Sequence, residues 1–449
     1  VDYKVCMENS LNTTDKTAHP SYNAAEKPNR CSDLVGPLVP ITNATSFQVI
    51  FTKNLFSKEN LILPTLVGKR KLFFCWCKQI EKIYGRQIRA YLAKVFSDDP
   101  VSTRFEIFVV DAIEENKNLK SVEQILCQAQ AFSLDRKGIF VAVGGGVLAD
   151  MVGVAATLYR RGVDYIKINT TLVGQIDVGL GIKTGVNFNG AKNFLGSFYP
   201  PMASINDTTF LATLPKEEIR CGLAEMLKVA VVSDKNLFDR MFTQGKSILE
   251  NRLRGESDHK RKYAGGYVAN CHDKQKDHQF IYEIAMKMLE LLVPNFYEKD
   301  LERYVDFGHS LSYLIESSSR FQIRHGDAVA MDMIFSSQVA VLKGLLPQKN
   351  FDKLIELYSL LGLPIFDSRY CTLEAVKKAM AHAAKHRGGE MNWVIPVEMG
   401  KATFLKKPKE MQDVIIEWAL NKLEQTNAEL NVKANVNLTV KLSEAELAS

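Results

Sequence analysis

Five segments of the 449-residue chain carry residues equipped for chemistry. Positions 141–150 read VAVGGGVLAD, an apolar run that enters three glycines and then a helical pattern. Without a Cβ the backbone can approach a pyrophosphate, and a helix N-terminus adds free N–H groups and the positive end of a dipole. The same run also serves as a structural turn, with Asp150 capping the helix. Positions 169–193 place Thr170, Thr171, Asp177, Lys183, Asn187, Lys192 and Asn193 among five glycines. So dense a polar set is costly to bury in a plain core. Leu172, Val173 and Ile176 between the polar groups do not suit a solvated loop either, so the stretch predicts a ligand-binding segment facing something rich in oxygen. In Gly222-Leu-Ala-Glu-Met-Leu-Lys228, Glu225 and Lys228 share a helix face, which fits a site or a surface ion pair. His309 closes Asp306-Phe-Gly-His, and His325 follows sixteen residues later. With Glu225, these histidines form a zinc-type set that leaves room for substrate; core or surface positions are the alternative. Lys385-His386-Arg387-Gly388-Gly389 is a basic turn or a solvated loop.

To meet, these segments need a scaffold. From Phe47 to about Ile205, β-branched runs alternate with helical periodicity. Phe105–Val110 and 139–143 read as buried strands, and 122–132 and a stretch from about Asp150 as helices. That alternation predicts βαβ units on a mostly parallel sheet. After Pro215 helical periodicity dominates, over 217–232, 280–292, 309–317, 327–345, 352–361 and 372–385, until a strand signal at 393–397. The expected organisation is a loose polar leader over 1–44, an α/β domain over 45–212, a helical domain over 213–424 and a frayed tail over 425–449. The charged stretch 251–278 reads as a surface insertion.

Composition narrows the function classes. Hydrophobic residues at 46% and charged residues at 24% exclude a disordered chain, a collagen and a coiled coil. The net charge of +6 comes with no concentrated basic stripe, so small anions are expected and nucleic acid is not. Eight scattered cysteines make neither a zinc knuckle nor a disulfide framework, which suggests a reducing, cytoplasmic setting. The most apolar stretch, 138–159, contains Asp150 and three glycines, so no membrane span is expected.

In order along the chain, GGG-x3-D, R-R-G, T-T-L-x4-D, G-x-K-x-G-V-N-x4-K-N, G-L-A-E-x-x-K, F-G-H and H-G-D-A-V resemble the dehydroquinate synthase-like superfamily of sugar phosphate cyclases over roughly 105–400. The resemblance implies a Rossmann-like NAD-binding domain followed by a mainly helical metal-binding domain, a cleft between them, a homodimer, and a catalytic zinc or cobalt. It also implies roles. Glu225, His309 and His325 would hold the metal. NAD would meet Gly144, Gly145, Gly146, Asp150, Thr170, Thr171 and Asp177, together with Glu114 and Lys117, where Ile113 replaces the usual glycine of that cofactor loop. Lys183, Lys192, Asn193 and Lys228 would surround a sugar phosphate, and Arg161 would reach the neighbouring subunit's site.

Departures from the family pattern indicate a branch. Asp306 stands where dehydroquinate synthases have Asn, Tyr313 where they have a second His, and Met288 or its neighbours where they have a Lys. Losing a cation and gaining a carboxylate disfavours a carboxylated substrate and suits one bearing hydroxyls. Asp306, Leu292, His386 and its neighbour Arg387 resemble the branch that closes sedoheptulose 7-phosphate to 2-epi-5-epi-valiolone. Demethyl-4-deoxygadusol synthase and 3-dehydroquinate synthase are the alternatives within the family. A metal-dependent polyol dehydrogenase and an inactive binding homologue are the alternatives outside it.

Overall fold

The structure is a computed structural model that describes residues 3–5, 46–96, 104–251 and 271–447, with side chains described over 46–96, 104–250 and 275–432. Most of the expected leader and most of the 251–278 insertion lie outside these residues.

Among the described residues, nine strands build the first half: β1 (Tyr3–Val5), β2 (Gln48–Thr52), β3 (Leu72–Cys77), β4 (Phe105–Val110), β5 (Ile139–Gly144), β6 (Asp164–Asn169), β7 (Lys183–Phe188), β8 (Ala191–Phe198) and β9 (Ala203–Asp207). Seven of them form one sheet in the order β1-β2-β9-β6-β5-β3-β4, parallel throughout except for β1 at the edge. Side chains alternate across it. Phe74, Trp76, Val141, Val143 and Ile166 face helices α1 (Ile62–Val67) and α2 (Lys78–Val95). Phe73, Cys75, Phe140, Ala142 and Tyr165 face α3 (Leu119–Ala131) and α4 (Gly146–Leu158). Because both faces are covered, β5 is buried along its whole length and reads as an unbroken apolar run. The chain leaves β3 outward to β4 and returns to β5 on the other side of β3. Such a reversal opens a crevice at the carboxyl ends of the two strands, where Gly144–Gly146 turn into α4.

β7 and β8 form a separate antiparallel hairpin across Asn189-Gly190, both at positive φ (49° and 78°), the twist a two-residue hairpin turn requires. The hairpin seats on α4 at Gly153, where a Cβ would come within 2.3 Å of Thr184 Cγ2.

The second half holds α5 (Lys216–Ser233), α6 (Lys235–Arg240), α7 (Lys246–Asn251), α8 (Cys271–Leu292), α9 (Ser312–Ser318), α10 (His325–Leu342), α11 (Gln348–Leu361), α12 (Leu373–His386) and α13 (Asp413–Leu447), with one hairpin of β10 (Trp393–Glu398) and β11 (Lys401–Leu405). Helices α5 and α10 lie at its centre, so close that a Cβ on Gly326 would fall 2.3 Å from Cys221 Cα. Several boundaries differ from expectation: α8 begins at Cys271, inside the stretch expected as an insertion, and α11 begins four residues early, at Gln348. α4 begins at Gly146, so Asp150 lies inside the helix and does not cap it. α9 begins at Ser312, leaving His309 on a turn after Gly308 at φ 77°. α13 runs as one helix to Leu447, across the stretch expected to fray.

Candidate active site

The Glu225–Lys228 pair is no surface bridge. Both side chains are at most 2% exposed on α5, with Lys228 Nζ 2.6 Å from Glu225 Oε2 and 3.1 Å from Asp177 Oδ2. The other carboxylate oxygen meets the two histidines: Glu225 Oε1 lies 3.1 Å from His325 Nε2 and 3.7 Å from His309 Nε2. One ligand atom from each of Glu225, His309 and His325 falls within 4.8 Å of the others. His309 Nδ1 is 3.1 Å from the Phe307 carbonyl, which leaves Nε2 to face the cluster. Burial and the Lys228 ammonium push the His309 imidazole down to about 4, whereas His325, against its burial, is raised to about 10 by Glu316 and Glu225, a proton that metal binding would displace. Burial opposes ionisation of Glu225, but the Lys228 ammonium and a hydrogen bond from His325 outweigh it and hold the carboxyl well below its usual range. Both Glu225 oxygens are fully buried, Oε2 against the Lys228 ammonium and Oε1 facing the two imidazoles. A buried carboxylate and two imidazoles with converging free atoms fit a divalent cation.

The glycine turn fits a dinucleotide. No side chain caps α4 at Gly145, which leaves its first N–H groups to a ligand. A Cβ on Gly145 would meet Thr171 Cγ2 at 3.0 Å, and one on Gly146 would meet Val178 Cγ2 at 3.2 Å, so the cradle closes if either is substituted. Thr170 N donates to the Gly144 carbonyl at 3.0 Å, and Thr171 Oγ1 accepts from Gly174 N at 3.0 Å. The turn Gly174–Val178 is π-helical and carries Asp177 toward Lys228, linking the cradle to the metal-type cluster.

The cofactor-loop residues gather beside it. Lys117, buried, reaches Asp150 Oδ2 at 2.5 Å and Asn193 Oδ1 at 2.6 Å. Asn187 donates to Glu114 Oε1 at 3.0 Å and accepts from Asn193 N at 2.8 Å. Asn193 itself sits at φ 51°, held in that strained conformation by these bonds. Lys192 projects from β8 to Glu316 Oε2 at 2.5 Å. Lys183 pairs with Glu298, which also binds Arg303. Asp306 receives Arg387 at 2.7 Å and Arg303 at 3.4 Å. Burial raises the Asp306 pKa, but Arg303 and Arg387 outweigh that and hold it below its usual range.

Two predicted residues stand apart from the cluster. His386 is exposed at the end of α12 with its ring 4.2 Å from that of His382, and only its neighbour Arg387 reaches Asp306. Arg161 is exposed on the turn after α4, at φ 68°, with Arg160 before it at φ 51°.

Three buried residues of the site escape a reading by motif. Glu316 holds His325 Nδ1 at 3.1 Å and Lys192. Asp332 Oδ2 accepts the backbone N–H groups of Ser310, Leu311 and Ser312 at 2.7, 2.6 and 3.1 Å, fixing the turn that presents His309. Lys167 donates to the Val178 and Gly181 carbonyls at 3.1 and 2.9 Å, beneath the turn that carries Asp177.

A parallel sheet covered by helices on both faces, a helical half and a Glu–His–His cluster beside phosphate-type lysines define a class of metal- and dinucleotide-dependent enzymes. Residues 107–221 match the 3-dehydroquinate synthase N-terminal family and 222–386 the 3-dehydroquinate synthase C-terminal family. The chain therefore belongs to the dehydroquinate synthase family, as a sugar phosphate cyclase. It is 38% identical to a 2-epi-5-epi-valiolone synthase of Streptomyces glaucescens over 87% of this chain and 93% of that protein. A second, from Streptomyces hygroscopicus subsp. jinggangensis, is 39% identical over 73% of this chain and 74% of that protein. The solved 2-epi-5-epi-valiolone synthase of the latter organism, with NAD+ and Zn2+ bound, superposes with a TM-score of 0.77 at 35% identity, over 86% of this chain and 99% of that one.

Proposed function

We propose that the chain closes sedoheptulose 7-phosphate to 2-epi-5-epi-valiolone, by transient oxidation, phosphate elimination, reduction and intramolecular aldol closure. The observation that carries this reading is the seating of Lys192 and Lys228 around Glu225, His309 and His325, which puts phosphate-type cations beside a metal-type cluster. When bound, NAD+ supplies a reversible hydride acceptor and zinc or cobalt supplies a Lewis acid for a substrate oxygen.

The chain's own residues do the rest. Gly144, Gly145 and Gly146 with the α4 N-terminus receive the cofactor pyrophosphate, flanked by Glu114, Lys117, Asp150, Thr170, Thr171 and Asp177. Burial disfavours a charged Lys228, yet Asp177 and Glu225 outweigh it and raise its pKa, so it serves as a fixed ammonium donor and not as a base. Lys192, Lys183 and Asn193 hold the substrate phosphate as cations and an amide. Asp306, aligned by Arg387 and Arg303, accepts from hydroxyls at the far end of the substrate. Met288, one of the residues standing where dehydroquinate synthases have a Lys, is 1% exposed in the apolar core, and its neighbour Lys287 pairs with Glu290. The exposed Arg161, on a strained turn, supports a homodimer in which it serves the neighbouring site. The free Cys75, Cys77, Cys127, Cys221 and Cys371 support a cytoplasmic setting. Among the described residues, no helix is long and apolar enough to cross a membrane.

The test is product identification after separate incubation with sedoheptulose 7-phosphate and with the dehydroquinate precursor. The expected product is 2-epi-5-epi-valiolone from the first and none from the second. Dehydroquinate from the second, or demethyl-4-deoxygadusol from the first, would overturn the branch. In the variant Asp306→Ala, a shift toward demethyl-4-deoxygadusol is expected; unchanged product at the parent rate would remove Asp306 from branch choice.

A further inference from the structure

Glu316 lies on α9, 4% exposed, and its two oxygens serve different partners. Oε1 is 3.1 Å from His325 Nδ1. Oε2 is 2.5 Å from Lys192 Nζ, on a strand 124 positions away. A histidine that ligates through Nε2 carries its remaining proton on Nδ1, and the acceptor of that proton sets both the tautomer and the ring orientation. The His325 ring has this arrangement, with Nδ1 on Glu316 and Nε2 turned to Glu225 Oε1. Lys192 has a long, rotamer-rich stem, and Glu316 is the carboxylate that fixes its ammonium beside the cluster.

We infer that Glu316 is a positioning residue with two tasks: it orients His325 toward the metal, and it parks Lys192 until a phosphate takes that ammonium over. The inference rests on the proposed roles of His325 as a metal ligand and of Lys192 as a phosphate contact. Reach, rather than charge, governs the first task. An amide oxygen at the same distance still accepts from Nδ1, whereas a carboxylate one methylene shorter falls short. Charge governs the second, because an amide holds an ammonium weakly and does not repel an arriving phosphate.

The experiment uses the full chain with Glu316→Gln, Glu316→Asp and His325→Ala. Zinc affinity is read by competition with a chromogenic chelator, and inorganic phosphate affinity by calorimetry. Glu316→Gln is expected to keep zinc within about threefold, and Glu316→Asp to lose about 10- to 100-fold, the usual effect of removing a ligand's outer partner. Glu316→Gln is also expected to bind inorganic phosphate several-fold more tightly than the parent. Circular dichroism confirms that each variant is folded, and the Gln/Asp contrast does not depend on the parent's absolute stability. Equal zinc affinity in the parent and Glu316→Asp, or a loss in Glu316→Gln as large as in Glu316→Asp, overturns the orienting role. Unchanged phosphate affinity in Glu316→Gln overturns the parking role. A His325→Ala protein that keeps its zinc overturns the metal-site reading and this inference with it. If His325→Ala loses zinc while Glu316→Asp keeps it, this inference fails alone.

Discussion

Lys167 and Asp332 do their work out of sight of any ligand. Burial lowers the Lys167 ammonium to about 8, against an ordinary value of 10.5. Between these pH values the unfolded chain holds a proton that the folded one has lost, so this residue's contribution to stability rises with pH from about 8 to 10.5. The urea-unfolding free energy of the parent relative to Lys167→Met is therefore expected to shift in the parent's favour between pH 7 and pH 10; a pH-independent difference would contradict the assignment. Asp332 takes three backbone N–H groups on one oxygen. Asp332→Ala leaves them buried without an acceptor, at a cost of about 3 kcal/mol in a denaturant titration, while Asp332→Asn, which keeps an oxygen there, is expected to cost about 1 kcal/mol. Equal losses in the two variants would show that the charge matters and the hydrogen bonds do not. Glu225, His309 and His325 could be singled out in the sequence through the resemblance of the ordered motifs to a family pattern, since each run alone fits a core or surface position as well. Glu316, Asp332 and Lys167 were not. Each has an ordinary residue type in an ordinary helix or strand, and acquires its task only from partners that folding brings alongside.

Among the elements, the β7–β8 hairpin carries Lys183, Asn187, Lys192 and Asn193 of the site. Its residues were expected to bind ligand, but its strands were not foreseen, since the glycines that let the two strands pair closely, Gly185 and Gly196, also resemble those of a ligand loop. Gly196 makes the point: a Cβ there would fall 1.9 Å from the Thr184 carbonyl oxygen, a backbone atom that cannot swing aside. Gly196→Ala is expected to destabilise the protein by about 2 kcal/mol and, by displacing Lys192 and Asn193, to raise KM for the sugar phosphate with a smaller change in kcat. An unaltered KM would show that the hairpin does not set the lysine. The parallel sheet was easier to read. A strand covered on both faces, such as β5, appears as an unbroken apolar run, whereas Phe105–Val110 has the bounds the sequence suggested but, as the edge strand β4, is only partly buried, with Glu106 exposed. The start of α9 was misplaced because periodicity does not distinguish the turn that presents His309 from the helix that follows it.

In the whole molecule, Asp177 on the Gly174–Val178 turn pairs with Lys228 on α5, and Lys192 on the hairpin pairs with Glu316 on α9. The cofactor cradle and the metal-type cluster are therefore joined through side chains and not merely adjacent. A site so connected suits a hydride taken from the substrate and returned to it before product leaves, whereas a dehydrogenase must exchange its cofactor every cycle. Inorganic phosphate release and absorbance at 340 nm, followed together during turnover of sedoheptulose 7-phosphate with NAD+ and zinc, separate the two most directly. The account predicts phosphate released over many turnovers with no accumulation of NADH. NADH formed in step with substrate consumption, without phosphate release, would contradict it.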